Sequence, residues 1–265
     1  MNDTAPFRPG LVQAAARGWR TDVDAFMGTL TGPRGLTGWR NALTVISNHD
    51  EVGNAQRTVD VADGDSPTLL PPPYARDLAR FTAGIGLASP GVPIFFMGDE
   101  SMAKNEFKWG NPATWDLGWD WEAADPNRDL SRLPPAEREK AELAIARKRT
   151  FEFYKEALAL RKSSPAFDAD AEVARVYTHN DDSVLAFARR KAGEEFVVVG
   201  SLNRRNLGGY RIPLPPGQWK EVLNSDGAAF GGSNFGNGGG TFGGGGGSTP
   251  LNIPSGGYVV LKKVG

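Results

Sequence analysis

Hydrophobic positions along this chain follow two different periods, and the change between them falls near Ser163-Ser164-Pro165. Before that point, apolar residues recur at helical spacing or gather in short unbroken runs. Leu11, Ala14, Ala15 and Trp19 share one helical face, and Val23, Phe26, Met27 and Leu30 repeat at i, i+3, i+4 and i+7. Residues 1–10 read as an irregular lead-in, and Gly32-Pro33 with Gly35 ends the helical pattern. Leu43 to Ile46 is a short β-branched run that suits a strand buried on both faces. Arg57 to Pro73 is polar and proline-rich and reads as a loop. Leu78, Phe81, Thr82 and Ile85 mark an amphipathic helix from Tyr74 to Ala88, and Val92 to Met97 is a second continuous apolar strand. Strand, helix and strand make one β-α-β unit, whose right-handed crossover sets the two strands parallel. Pro134-Pro135 opens a long helix that runs to Lys162 and carries Ala141, Ile145, Phe151, Tyr154 and Leu158.

From Ala171 the period becomes two. The expected strands are Val173–Thr178, Val184–Arg190, Phe196–Leu202, Tyr210–Leu214, Trp219–Leu223 and Tyr258–Lys262. Six short strands joined by turns such as Asp181-Asp182 and Ala192-Gly193 predict an antiparallel β-sandwich. Gly227 to Ser248 is low in complexity and includes the unbroken run Gly243–Gly247, so a mobile loop is expected there. The chain thus divides into an α/β part, residues 1–165, and an all-β part, residues 166–265.

Composition narrows the chemistry without redirecting it. The net charge is −1, so nothing electrostatic invites a nucleic acid or an anionic membrane. No apolar run is long enough to span a bilayer, and no basic-then-apolar leader opens the chain. Cysteine is absent and histidine occurs only at His49 and His179, which rules out disulfides, thiolate metal sites and a histidine-rich centre. A cytoplasmic protein without cofactors is the expectation.

The candidate chemistry sits where the first apolar strand runs into Asn48-His49-Asp50. Polar residues at the carboxyl end of a buried parallel strand face the active-site mouth of a β/α barrel. The same triplet also suits a capped strand-to-loop turn, so both readings stand on the residues alone. A second feature is a run of aromatics: four of the seven tryptophans lie between Trp109 and Trp121. Their rings either stack on sugar faces or pin a long loop to its scaffold. Trp109 and Trp115 are the candidates for sugar contact.

Asn48-His49-Asp50 after an apolar strand resembles the last conserved block of the α-amylase superfamily, glycoside hydrolase family 13. Ser89 to Glu100 is similar to that family's eighth barrel strand. Glu221 to Asp226, followed by Phe-Gly-Gly-Ser, resembles the closing β-domain of 1,4-α-glucan branching enzymes, with trehalohydrolases and amylases sharing parts of it. The resemblance implies the C-terminal portion of a TIM (β/α)8 barrel followed by a β-sandwich, acting on glycogen- or starch-type α-glucan. It implies Asp50 as the carboxylate that stabilises charge in the transition state. His49 then contacts the same sugar, Asn48 braces the turn, and Glu51 meets an adjacent subsite. Asp99 and Glu100, neighbours that point to opposite sides, are expected to hold the barrel rim, and the resemblance, which extends to a similar motif at Trp119-Asp120-Trp121, implies a structural role for that set.

Gly18-Trp19-Arg20-Thr21-Asp22 imitates the family's nucleophile block, but its surroundings are helical and it lies too close to Asp50. Asp22 is therefore read as part of a solvated helix face. The nucleophile and general acid that glycosidic cleavage needs have no counterpart in the motifs. The expectation is a catalytically incomplete part of an α-glucan-active enzyme, whether gene fragment, truncated chain or half of a split enzyme with a complementary chain as partner. The competing expectation is a non-catalytic carbohydrate-binding or structural module.

Overall fold

In the computed structural model, residues 11–32, 38–54, 56–64, 69–104, 107–117, 119–245 and 247–265 are described. The lead-in and the Pro33–Gly35 stop lie outside them, apart from its flanking Gly32. The single helix expected from Leu11 to Leu30 is two: α1, Gln13–Ala16, and α2, Val23–Leu30. Gly18 at φ 71° turns the chain between them, a backbone state that costs little only without a Cβ.

Strands β1, Leu43–Val45, and β2, Val92–Ile94, pair in parallel, with Leu43 opposite Val92 and Val45 opposite Ile94. Between them come α3, His49–Gly53; α4, Thr58–Asp63; and α5, Pro73–Ala88. The parallel β-α-β unit therefore forms, but α3 and α4 replace the expected strand-end turn and part of the expected loop. Both are too short for a periodic pattern to reveal. Helix α6, Pro135–Ser163, closes this part, with proline at its first turn where the missing N–H has no partner to lose.

The β part consists of β3, Glu172–His179; β4, Val184–Lys191; β5, Glu194–Ser201; β6, Leu207–Ile212; β7, Gly217–Asn224; β8, Thr241–Gly244; β9, Thr249–Ile253; and β10, Gly257–Lys263. Six of them make an antiparallel sheet in the order β3-β4-β5-β10-β7-β8, and β6 pairs with β9 in a second sheet. Successive residues of the central strands serve opposite faces, as the pleat demands. Leu185, Phe187, Val198, Tyr258 and Val260 turn to a core shared with α2, α5 and α6. Ala186, Val197, Val199, Val259 and Leu261 turn to a second core closed by Ile212, Leu251 and Ile253 of β6 and β9. One hydrophobic cluster thus runs from Leu11 to Val260, across the change of period near residue 165.

The glycine-rich tract is not one open loop. Asp226 accepts bonds from Ser233 N (2.9 Å), Ser233 Oγ (2.7 Å) and Phe235 N (2.8 Å), while Glu221 accepts two from Asn237. A Cβ on Gly232 would come within 2.3 Å of the Asp226 carbonyl oxygen, and one on Gly236 within 2.2 Å of Asn224 Nδ2. Glycine is there because backbone approaches backbone, and β8 then emerges from the same tract to pair with β7. The mobile loop that low side-chain content predicts is replaced by close packing, which the same lack of side chains permits.

Candidate functional site

Beyond β1 the chain passes through Ser47 into α3. Ser47 is fully buried and links two segments: its Oγ donates to Asp99 and accepts from Phe96 N (2.7 Å). Thr58 Oγ1 of α4 donates to the same Asp99 carboxylate oxygen at 2.8 Å. Asp99 is thus a buried hub tying the end of β1, the start of α4 and the segment after β2. Beside it, the buried Arg57 donates to Met97 O at 3.0 Å and lies 5.9 Å from the Phe96 ring. Burial pulls the Arg57 guanidinium below its ordinary value, with Asp99 pulling the other way. Glu100 accepts from Gly98 N at 2.9 Å, and burial pushes its carboxyl up. Asp99 and Glu100 hold this edge of the fold, as their sequence position suggested.

On that base the Asn-His-Asp segment begins a helix. Asn48 is the N-cap of α3, its Oδ1 accepting from Glu51 N at 3.0 Å. Asp50 lies in the first helical turn, where a carboxylate is favoured by the helix dipole. The expectation that Asp50 sits at a strand end is corrected: it sits five residues beyond β1, on a helix. Its side chain is 79% exposed and pairs with His49 Nε2 at 3.2 Å. Glu51, in the same turn, is half-buried.

The tryptophan segment meets this turn. Trp109 stands edge-on to the His49 imidazole, with centroids 5.6 Å apart. Phe107, itself buried, supports both tryptophans: edge-on to Trp109 at 5.0 Å and stacked on Trp115 at 5.6 Å. Phe96 closes the cluster against Phe107 at 5.0 Å. Trp109 is 69% exposed, and Trp115 is half-exposed with its Nε1 donating to Lys108 O. His49, Asp50 and Trp109 therefore share one surface, although Trp109 is far along the chain. Trp121, by contrast, is buried against Phe151, in a structural role. The side chain of Trp119 lies outside the described residues.

Sequence reasoning missed Ser47 and Thr58, and it gave no role to Phe96, within the apolar run Val92–Met97, or to Phe107, in the same aromatic segment as Trp109. Ser47, directly before Asn48, carried a signal. A cavity of about 470 Å³ lies at the opposite end of β2, between Gly91–Pro93 and Arg161–Ala169. Asp22 caps α2 by accepting from Ala25 N and is exposed, so it stands at a helix start and not at a strand end. His179, on the surface, pairs with Asp182 at 3.0 Å. Among the described residues no group of three or more histidine or acidic side chains is placed to hold a metal ion, and no helix is long and apolar enough to cross a membrane.

Comparison with known proteins gives this geometry a family. Residues 176–264 match the family described as "Alpha amylase, C-terminal all-beta domain". The 1,4-alpha-glucan branching enzyme GlgB of Burkholderia vietnamiensis (strain G4 / LMG 22486) is 32% identical over 196 residues, which is 72% of this chain and 23% of the relative. GlgB of Burkholderia pseudomallei (strain 668) is 32% identical over 199 residues, with the same coverage. The chain therefore spans about a quarter of the length of these curated relatives. Among solved structures, the α-amylase from H. orenii superposes with a TM-score of 0.54 at 18% identity, over 97% of this chain and 48% of the other. The pullulanase from Bacillus acidopullulyticus gives 0.64 at 16% identity, over 98% and 30%.

Residues 176–264 thus belong to the α-amylase C-terminal all-β domain family. The chain is homologous to the C-terminal region of 1,4-α-glucan branching enzymes, and its fold is shared with an α-amylase and a pullulanase.

Proposed function

We propose that this chain is the C-terminal portion of an α-glucan-active enzyme, most closely a glycogen-type 1,4-α-glucan branching enzyme. In this reading β1, α5 and β2 are part of a (β/α)8 barrel, and residues 166–265 form its β-sandwich companion. Asp50 stabilises the positive charge that develops at the anomeric carbon as the glycosidic bond breaks. His49 donates to the same sugar, while Asn48 and Glu51 hold the turn and the neighbouring subsite. Trp109 and Trp115 offer flat apolar faces to sugar rings.

The observation that carries the reading is the contact between His49 and Trp109, which joins the two sequence-derived candidates on one exposed surface. The placement of the carboxylates limits what the chain does alone. Retaining cleavage needs a nucleophile and an acid about 5 Å apart. Asp50 pairs with His49, and the other two candidate carboxylates are engaged elsewhere, Asp99 with Ser47 and Thr58 and Glu100 with Gly98. The missing pair belongs on the rest of a barrel, either in one longer chain or in a complementary one. The cytoplasmic placement belongs to the same proposal.

Electrophoresis of the chain through amylose-containing gels tests this. Retardation is expected, with most of it lost in Trp109→Ala, and migration unaffected by amylose would overturn the glucan reading. An iodine-stain assay of the same protein is expected to show no turnover. Turnover that Asp50→Asn abolishes would instead mean a full catalytic set. The high exposure of Asp50 favours a second reading, a non-catalytic carbohydrate-binding or structural module. That reading expects amylose retardation indifferent to both Trp109→Ala and Asp50→Asn.

A further inference from the structure

The imitation of a nucleophile block at Gly18–Asp22 serves no catalytic purpose, yet it builds a surface. Gly18 turns the chain so that Trp19, 60% exposed, projects from it, with the Arg17 guanidinium 5.0 Å from its ring centre. The next three residues, Arg20, Thr21 and Asp22, line an open cavity of about 220 Å³ whose far wall is Asn180, in the turn between β3 and β4.

The walls are fixed from both sides. Thr21 Oγ1 donates to Ser183 Oγ at 2.8 Å, Asp24 N donates to Asn180 Oδ1 at 3.1 Å, and Arg175 Nη1 of β3 donates to Asp24 at 2.8 Å. Asp22 Oδ1 accepts from Ala25 N and from Asn180 Nδ2 at 3.3 Å. Arg20 meets Asp181 at 3.7 Å, both of them exposed, and Asp22 adds the opposite sign inside the cavity. Across this surface Arg17 and Arg20 stand against Asp22 and Asp181, so charge is balanced locally, while an amide, a hydroxyl, a carboxylate and a guanidinium line the open space. A preformed polar recess whose first wall residue, Arg20, directly follows an exposed indole in the chain suits a neutral ligand with apolar ring faces and many hydroxyls, because no net charge needs compensating.

We propose that Trp19 and the Arg20–Asp22–Asn180 recess form a second saccharide-binding site, separate from the Asn48–Trp109 surface, which takes one or two units of an α-glucan. The inference rests on the glucan reading above, because it assumes the same polymer as ligand. Its consequence is bivalency. A long glucan engages both surfaces of one chain, so the second contact forms at raised effective concentration, while a short oligosaccharide engages only one.

The test uses the full chain with amylose and, separately, maltotriose. Trp19→Ala is expected to weaken maltotriose binding at its own site about five-fold, the factor that ~1 kcal/mol of ring stacking represents. The loss on amylose should be ten-fold or more, on the order of what avidity adds. Trp19→Phe should retain part of both, and the thermal midpoint should not move, since the indole is exposed. Trp19→Ala with Trp109→Ala should abolish retardation that either alone leaves in part. If Trp19→Ala binds both ligands as the parent does while Trp109→Ala removes all binding, the second site is overturned and the main reading stands. If the parent binds neither ligand, both fall together.

Discussion

The six-stranded sheet and the parallel pair, two of the three sheets among the described residues, are built from equally apolar runs and end up in opposite conditions. In the six-stranded sheet, β4, β5 and β10 are covered on both faces, by α5 and α6 on one side and by β6 and β9 on the other. In the parallel pair, Val92 is 46% exposed and Ile94, Phe95 and Phe96 are only half-buried. A run such as Val92–Met97 has the pattern of a strand enclosed on both sides, but burial comes from neighbours and not from the pattern itself. The all-β part meets its own demand for partners within these residues. The parallel part does not.

The largest test of that contrast compares substitutions in the two sheets. Phe187→Ala, at a fully buried ring of β4, is expected to cost ~3–5 kcal/mol, whereas Val92→Ala stays within about 0.5 kcal/mol. Urea denaturation of both variants measures this. Equal losses would mean that β2 is enclosed after all, by self-association for instance.

The seam between the parts holds a titrating group. On α5, Arg80 is buried, ion-paired with Asp77, and donates to Ser225 O at 2.9 Å after β7. Burial pushes the Asp77 carboxyl up to about 6, against the pull of Arg80. An unfolded aspartate releases its proton near pH ~4. Between there and about 6 the folded form therefore binds more protons, and this group's contribution to stability falls as pH rises through that window. The loss is on the order of 2–3 kcal/mol. Asp77→Asn should flatten that part of the stability–pH curve, and an unchanged slope would assign it to other groups.

A smaller effect separates two glycines. A Cβ on Gly84 of α5 would lie 2.0 Å from the Tyr258 ring, while one on Gly28 of α2 meets nothing within 4 Å. Gly84→Ala should therefore destabilise by ~1–3 kcal/mol through overpacking, and Gly28→Ala should stabilise by ~1 kcal/mol through helix propensity. Thermal midpoints moving in the same direction would show that α5 is not pressed onto the sheet as described.

Much of this was legible in the sequence, for reasons that differ by element. The central strands of the larger sheet announced themselves because Leu185-Ala186-Phe187 and Val197-Val198-Val199 need apolar side chains on both faces. Strands β8 and β9 did not, since Thr-Phe-Gly-Gly and Thr-Pro-Leu-Asn-Ile carry the residues that strands usually avoid. At the candidate site, Asn48-His49-Asp50 was visible as a motif, but its helical conformation was hidden by brevity. The contact of His49 with Trp109 and the support from Phe107 depend on tertiary folding and leave no local trace.

The finest distinction lies within that motif, between neighbours that are equally polar. Asn48 closes the N-terminus of α3 through a bond to Glu51 N, so Asn48→Ala should cost ~1 kcal/mol and loosen the turn. Asp50→Asn leaves that cap intact, keeps nearly the same shape, and alters a side chain that is mostly in water. Its contact with His49 is exposed, and exposed contacts of this kind contribute little. The thermal midpoint of Asp50→Asn should therefore match the parent's, while Asn48→Ala lowers it. A residue that can be changed without a stability cost, yet whose change removes glucan chemistry when the rest of a barrel is present, is held for function. If Asp50→Asn instead unfolds the protein as readily as Asn48→Ala does, the carboxylate is part of the helix start, and the case for it at the reacting sugar is lost.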